Sequence, residues 1–167
     1  MRQMVRQCHT EVRQSIWDLR AEALDHFDLG EALRRMAQSL FLGSGIRVDF
    51  NQQRGVGKIP GLIGDNLLRI GQEAMTNVLK HSQAGIIGIE LTATGQAVSL
   101  NVHDDGSGLA DSGRNNRADG HFGLVGMEER AKRIGGKLTI GDRPGGGTVV
   151  LIEVPLPAAA TPSNKSS

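Results

Sequence analysis

Glycine most restricts what this chain can fold into. There are 23 glycines in 167 residues, about twice the usual share, and most fall in the second half. Glycine brings no side chain to a core and loses the most chain entropy on folding. So many of them mark turns, or places where backbone must approach something closely. The length suits one compact domain with an appended helix. Lys plus Arg number 19 against 18 Asp plus Glu, a formal net charge of +1. That balance argues against a protein that coats nucleic acid, which needs a large basic excess. The one cysteine, Cys8, can form neither an internal disulfide nor a cysteine zinc site, so a reducing, cytoplasmic setting fits. No apolar run approaches the ~20 residues that span a bilayer, and the first residues lack a signal-peptide core. No membrane contact is expected of this stretch.

Residues 1 to about 25 read as a helix, with Val5, Cys8, Val12, Ile16, Leu19 and Ala23 at steps of three and four. So narrow a stripe resembles a coiled-coil seam that wants a partner helix, although an ordinary amphipathic helix packed on its own domain has the same pattern. A second helix is expected over 29–42, closed by Gly43-Ser44-Gly45. Ile46 to Phe50 alternates like a strand, and 51–58 is a polar loop. Pro60 opens a long helix through His81, carrying Ile63, Leu67, Ile70, Ala74 and Val78 on one face. Strands over 86–92 and 97–102 flank a Thr94-Gly95-Gln96 turn. Residues 104–122 read as a long loop without periodic pattern. A helix over 124–134 follows, then a hairpin of 138–140 and 148–154 around a glycine-rich turn. From 157 to 167 the composition is that of a disordered tail. The sum is an α+β two-layer sandwich with one sheet and helices on one face, preceded by an N-terminal helix.

The common phosphate cradles are missing: Gly57-Lys58 is followed by Ile59, and Gly136-Lys137 by Leu138, where a P-loop needs Ser or Thr. The five histidines show no metal-ligand spacing. Three other segments stand out. Glu73 and Asn77 share a helix face, with Lys80 and His81 a turn further on. This is a polar surface stripe, or a carboxylate and carboxamide able to hold a hydrated Mg²⁺ with its phosphates. Asp104-Asp105-Gly106-Ser107-Gly108 follows a strand, either as a bare turn or as backbone left open for a flat ligand. Gly120 to Met127 leads into a helix, whose N–H groups and dipole suit an anion.

In this order the segments resemble the ATP-binding domain of sensor histidine kinases, in the Bergerat-fold group with gyrase, Hsp90 and MutL. Glu73-Ala74-x-x-Asn77-x-x-Lys80-His81 is similar to the N box, and Asp104-x-Gly106-x-Gly108 to the G1 box. Gly123-Leu124-x-Gly126-Met127-x-Glu129-Arg130 is similar to the G2 box, and Gly146-Gly147-Thr148 to the closing Gly-Thr element. The wording is most like the NarX/DesK-like branch. The resemblance implies a Bergerat fold with a mixed, mostly antiparallel sheet, and binding of ATP and Mg²⁺. Asp104 would accept from the adenine amino group, with Thr148 in support, and Asn77 would coordinate the metal. Glu73 would be a general base or a magnesium-shell carboxylate, and Lys80 and His81 would sit near the phosphates. Gly106 and Gly108 would let backbone approach the base. Gly123, Leu124, Gly126 and Met127 would line the nucleotide, the two glycines hinging a lid over about 109–122.

Trp17-Asp18-Leu19-Arg20 resembles the end of the second dimerisation helix of that branch. The resemblance therefore divides the chain into the end of a dimerisation and phosphoacceptor helix (1–28), an ATP-binding domain (29–156) and the tail. It implies a phosphoacceptor histidine outside this stretch, because Gln7-Cys8-His9-Thr10 lacks the acid that follows that histidine and lies too close to Trp17. Its partners would be that dimerisation domain and, indirectly, a LuxR-type response regulator. It also allows a homodimer through the N-terminal helix and a membrane anchor in a longer parent protein. Two other functions share these residues: a stand-alone serine kinase of the anti-sigma-factor type, and a non-catalytic, nucleotide-gated dimerisation module.

Overall fold

The computed structural model describes residues 28–53, 59–109 and 119–156, the first four of the last stretch by backbone alone. Helix α1 (Leu29–Phe41) leads to strand β1 (Arg47–Gln52) and then to the long helix α2 (Gly61–Asn77), which ends in a single π turn (Val78–Ser82). Strands β2 (Ile86–Ala93) and β3 (Ala97–Asp104) follow, then helix α3 (Asp119–Arg133) and strands β4 (Lys137–Asp142) and β5 (Thr148–Pro155). The five strands form one sheet in the order β1-β2-β3-β5-β4. The β1–β2 pair is parallel and the other three pairs are antiparallel. This is the expected α+β sandwich.

Local chemistry sets the element ends. Asp28 caps α1, its Oδ1 accepting from the N–H groups of Gly30 (2.9 Å) and Glu31 (3.2 Å), two donors that lack a partner in the first turn. Beyond α1 the chain turns through Gly43 and Gly45, with φ of +75° and +80°, a region only glycine enters without strain. The sheet then buries one face. Ile87, Ile89 and Leu91 of β2, Val98, Leu100 and Val102 of β3, and Val150, Ile152 and Val154 of β5 are all buried. Between them Glu90, Ser99 and Asn101 point to the other side, as a strand's period of two requires. Leu33, Met36, Ala37 and Phe41 of α1, with Leu67, Ile70, Ala74 and Met75 of α2, close the core from above. Each fully buried aliphatic of this kind contributes roughly 1.5–3 kcal/mol. Gly71 lets α2 lie low: a Cβ there would come within 2.8 Å of Leu33 and 3.2 Å of Leu100.

Several element ends differ from the sequence reading. β1 runs on to Gln52, β3 to Asp104 and β4 over 137–142, because ladder pairing continues past the alternating apolar residues. The long helix widens at Val78 instead of running evenly to His81. α3 begins at Asp119, a turn before its apolar pattern starts. A turn after that start, Gly123 lies against Glu73 of α2. The expected helix over 1–25 with its seam, the Trp17 stretch, His9, positions 110–118 of the expected lid and the tail from 157 lie outside the described residues.

Candidate functional site

Asp104 is the last residue of β3, and strand alternation turns it to the helix side with Val98, Leu100 and Val102. It is 1% exposed. A buried carboxylate is costly unless it is held by donors, and here Oδ1 accepts from the Gly106 N–H at 2.8 Å. The Asp104 carbonyl accepts from the Arg143 guanidinium at 3.0 Å. Three glycines close this corner, two of them by direct contact with backbone and the third against a side chain. A Cβ on Gly106 would collide with the Ser82 carbonyl, and one on Gly147 with the Asp104 carbonyl. Gly108, at φ +79°, would bring a Cβ within 2.7 Å of the Asp142 carboxylate. No side chain fits at any of the three.

The loop after β3 is anchored on two sides. Towards β2, Asp105 Oδ1 accepts from the N–H groups of Gly85 and Ile86, both at 2.8 Å. The Ile86 N–H above all, then that of Gly85 and the nearby Arg143 cation, hold the Asp105 carboxyl below the usual carboxylate range. The Ser107 N–H donates to the Ser82 carbonyl at 2.8 Å. Towards β4 and β5, the Leu109 N–H donates to Asp142 Oδ1 at 2.6 Å. Ser82 is itself fixed: its hydroxyl donates to the Val78 carbonyl at 2.8 Å and accepts from the Ala84 N–H at 3.1 Å. Gln83 then turns the chain at φ +53°.

The second part of the site runs along α2. Glu73 and Asn77 are half-buried on one helix face, Asn77 being the last α-helical residue. The π turn that follows carries exposed Lys80 and half-buried His81. Single π turns inside helices are common at functional sites, because they displace side chains from regular spacing. From α3, Gly123 lies directly on Glu73, leaving no room for a Cβ beside its carboxylate. A Cβ on Gly126 would meet nothing within 4 Å. Leu124 packs half-buried against the core, and Met127, 1% exposed, is wholly part of it. Thr148 opens β5, half-buried and paired with Asp142.

The structure thus gathers Asp104, Gly106, Gly108 and the Gly147-Thr148 step at one corner. Ser82 joins that corner to the end of α2 bearing Asn77, Lys80 and His81, and Glu73 meets Gly123 where α2 faces α3. Met127 lies in the core, as deeply buried as Asp104. Sequence reasoning passed over Ser82, Asp142 and Arg143, and took Asp105 only as part of a turn. The Asp142-Arg143 pair ahead of Pro144 and three glycines was the one available signal.

Oxygen donors suit the groups this arrangement would hold. The Asn77 carboxamide and Glu73 carboxylate are hard ligands of the kind Mg²⁺ takes together with substrate phosphates. The glycine-lined corner leaves backbone, rather than side chains, next to the Asp104 carboxylate.

Comparison with known proteins agrees. A family model described as histidine kinase-, DNA gyrase B- and HSP90-like ATPase matches residues 63–158, more than half of the chain. The signal transduction histidine-protein kinase/phosphatase DegS of Brevibacillus brevis is 32% identical over 156 residues, covering 93% of this chain and 40% of that one. The nitrate/nitrite sensor protein NarQ of Escherichia coli K12 is 33% identical over 130 residues, covering 77% of this chain and 22% of that one. The chain therefore spans less than half the length of either relative. Full-length ShkA, solved in complex with AMPPNP, superposes with a TM-score of 0.62 at 23% identity, covering 81% of this chain and 32% of that one, a likeness of fold. The chain belongs to the histidine kinase-, DNA gyrase B- and HSP90-like ATPase family, as an ATP-binding domain of the sensor histidine kinase kind.

Proposed function

We propose that this domain binds Mg·ATP between the Asp104 corner and the Asn77 face, and donates the γ-phosphoryl group to a histidine on a dimerisation helix of a longer sensor kinase. The observation that carries the reading is the buried Asp104 carboxylate, held by the Gly106 N–H at a glycine-lined corner and joined through Ser82 to the Asn77 face. The adenine amino group donates to Asp104, and Thr148 supports the contact. Guanine would present a carbonyl there, acceptor against acceptor, and is refused. Gly106 and Gly108 admit the base close to backbone. The Asn77 carboxamide would hold Mg²⁺, which when bound would neutralise phosphate charge. Glu73 would be a further oxygen ligand for that ion, or would take the proton of the attacking histidine. Lys80 and His81 lie on the phosphate side, with Gly123, Leu124 and Gly126 of α3 across from them. Met127 supports that helix from the core. Positioning and charge neutralisation then do most of the work, as in phosphoryl transfer generally.

In the same reading residues 1–28 are the end of the dimerisation helix and 29–156 the ATP-binding domain. The phosphoryl group passes on to a LuxR-type response regulator, and the domain works in the cytoplasm. Among the described residues, no helix is long and apolar enough to cross a membrane.

The test is incubation with γ-labelled ATP and a separately produced dimerisation domain from a sensor kinase of this type. Label on the supplied histidine supports the reading. Label on serine of a partner points to the anti-sigma-factor type of kinase, and ATP bound without transfer points to a dimerisation module.

A further inference from the structure

We propose that Asp105 and Ser82 are positioning residues that set the distance between the base-reading carboxylate of Asp104 and the phosphate-facing end of α2. The proposal deepens the nucleotide-binding reading above and rests on it. A nucleotide is engaged at two ends, and the second contact gains its advantage only where the first already places it. Asp104 and Asn77 stand on different elements, a strand and a helix. Beyond the core packing of α2 on β3, the links at this end include the Ser107 N–H to Ser82 carbonyl bond of 2.8 Å and the Gly106 backbone pressed on the same carbonyl. They are reinforced by the two 2.8 Å bonds from Gly85 and Ile86 to Asp105 Oδ1.

The chemistry of each residue suits that task. Successive residues at a strand end point to opposite sides, so the exposed Asp105 faces away from buried Asp104. It carries out its role without a place in the ligand pocket. A carboxylate accepting two backbone N–H groups makes bonds about twice as strong as neutral ones. Both bonds land on Gly85-Ile86, the start of β2, three residues beyond the π turn. The buried Ser82 hydroxyl, bonded to Val78 and Ala84, keeps the turn from sliding back into regular helix. The π turn, the start of β2 and the loop after β3 thereby move as one piece.

The whole 167-residue protein and its Asp105→Ala, Asp105→Asn and Ser82→Ala variants would be titrated with Mg·ADP by calorimetry and with adenosine by NMR, with circular dichroism as a folding control. Adenosine needs only the base end, whereas ADP needs both ends in register. Asp105→Ala is expected to weaken ADP on the order of tenfold while adenosine changes less than about twofold. Asp105→Asn keeps an Oδ1 acceptor and should stay within about threefold of the parent. Ser82→Ala should resemble Asp105→Ala in direction, with a smaller loss. Equal weakening of ADP and adenosine would overturn the proposal, as would unchanged ADP affinity in Asp105→Ala or an asparagine variant as weak as alanine. A parent protein that binds no ADP would instead bring down the nucleotide-binding reading, and this inference with it.

Discussion

Around Asp104 almost every polar contact runs to backbone: Gly106, Gly85, Ile86, Ser82 and Leu109 each enter a hydrogen bond that shapes the corner. Along α2 the pattern reverses. Among the described residues no side-chain hydrogen bond or ion pair holds Glu73, Asn77, Lys80 or His81. In the proposed reading the Asp104 corner, which would take the base, is built before any ligand arrives, and the α2 face, which would take the phosphates, is left open to oxygen ligands and a cation. The contrast has a physical reason. A flat base of fixed donor pattern rewards a preformed surface, because ordering it on binding would cost affinity. A triphosphate with its metal changes charge and geometry as it reacts, so its contacts are better kept adjustable.

The largest expected effect breaks the base end. Gly147→Ala would put a methyl group on the Asp104 carbonyl at φ +89°, where L residues are also strained. It should cost about 2–4 kcal/mol of stability, read by urea denaturation of the ligand-free protein. At the open end Asn77→Ala should leave stability within about 0.5 kcal/mol, yet remove the magnesium-dependent part of ADP affinity, roughly tenfold. Calorimetry with and without Mg²⁺ separates these two quantities. An Asn77→Ala protein whose affinity for magnesium nucleotide is unchanged would remove the metal role.

Gly126→Ala sharpens the contrast further, since its Cβ would meet nothing within 4 Å in the middle of α3. The ligand-free protein should gain about 0.5–1 kcal/mol from helix propensity, while ADP binds more weakly if that space belongs to the nucleotide. Gly123→Ala should show no such gain, because it pushes on Glu73. The smallest effect is acid sensitivity. The Asp105 carboxyl is held low in the folded protein and is ordinary, about 3.9, when unfolded. Its contribution to stability is complete above the ordinary value and is lost as pH falls through the lower folded one. Asp105→Asn should therefore flatten the stability profile below about pH 4, as followed by urea titration at a series of pH values.

Much of this was legible in the sequence, for identifiable reasons. Ile63, Leu67, Ile70, Ala74 and Val78 announce α2 by spacing, and all five are buried. The alternation in 97–102 locates β3, and its continuation puts Asp104 on the buried side. Glycines 106, 108 and 147 are needed for the reason glycine is usually needed, the absence of a Cβ. What stayed hidden are contacts between distant parts of the chain. Asp105 reads as an ordinary turn residue until Gly85 and Ile86 are beside it, and Asp142 until Leu109 donates to it. Ser82 works partly through a carbonyl, which every residue has, and partly through a hydroxyl whose partners, Val78 and Ala84, depend on where the helix ends. The parallel pairing of β1 with β2 is long-range in the same way. Burial is not read from motif spacing either: Met127, beside the motif glycines, is 1% exposed, as Asp104 is.

The most direct test of the central claim, that the Asp104 corner is a preformed adenine site, is calorimetric titration of Mg·ADP and Mg·GDP against the protein and Asp104→Ala. The account predicts that the parent binds ADP well ahead of GDP, and that Asp104→Ala loses about 2 kcal/mol of ADP affinity, roughly thirtyfold, along with the preference. Equal binding of ADP and GDP, or an alanine variant that still prefers ADP, would contradict it.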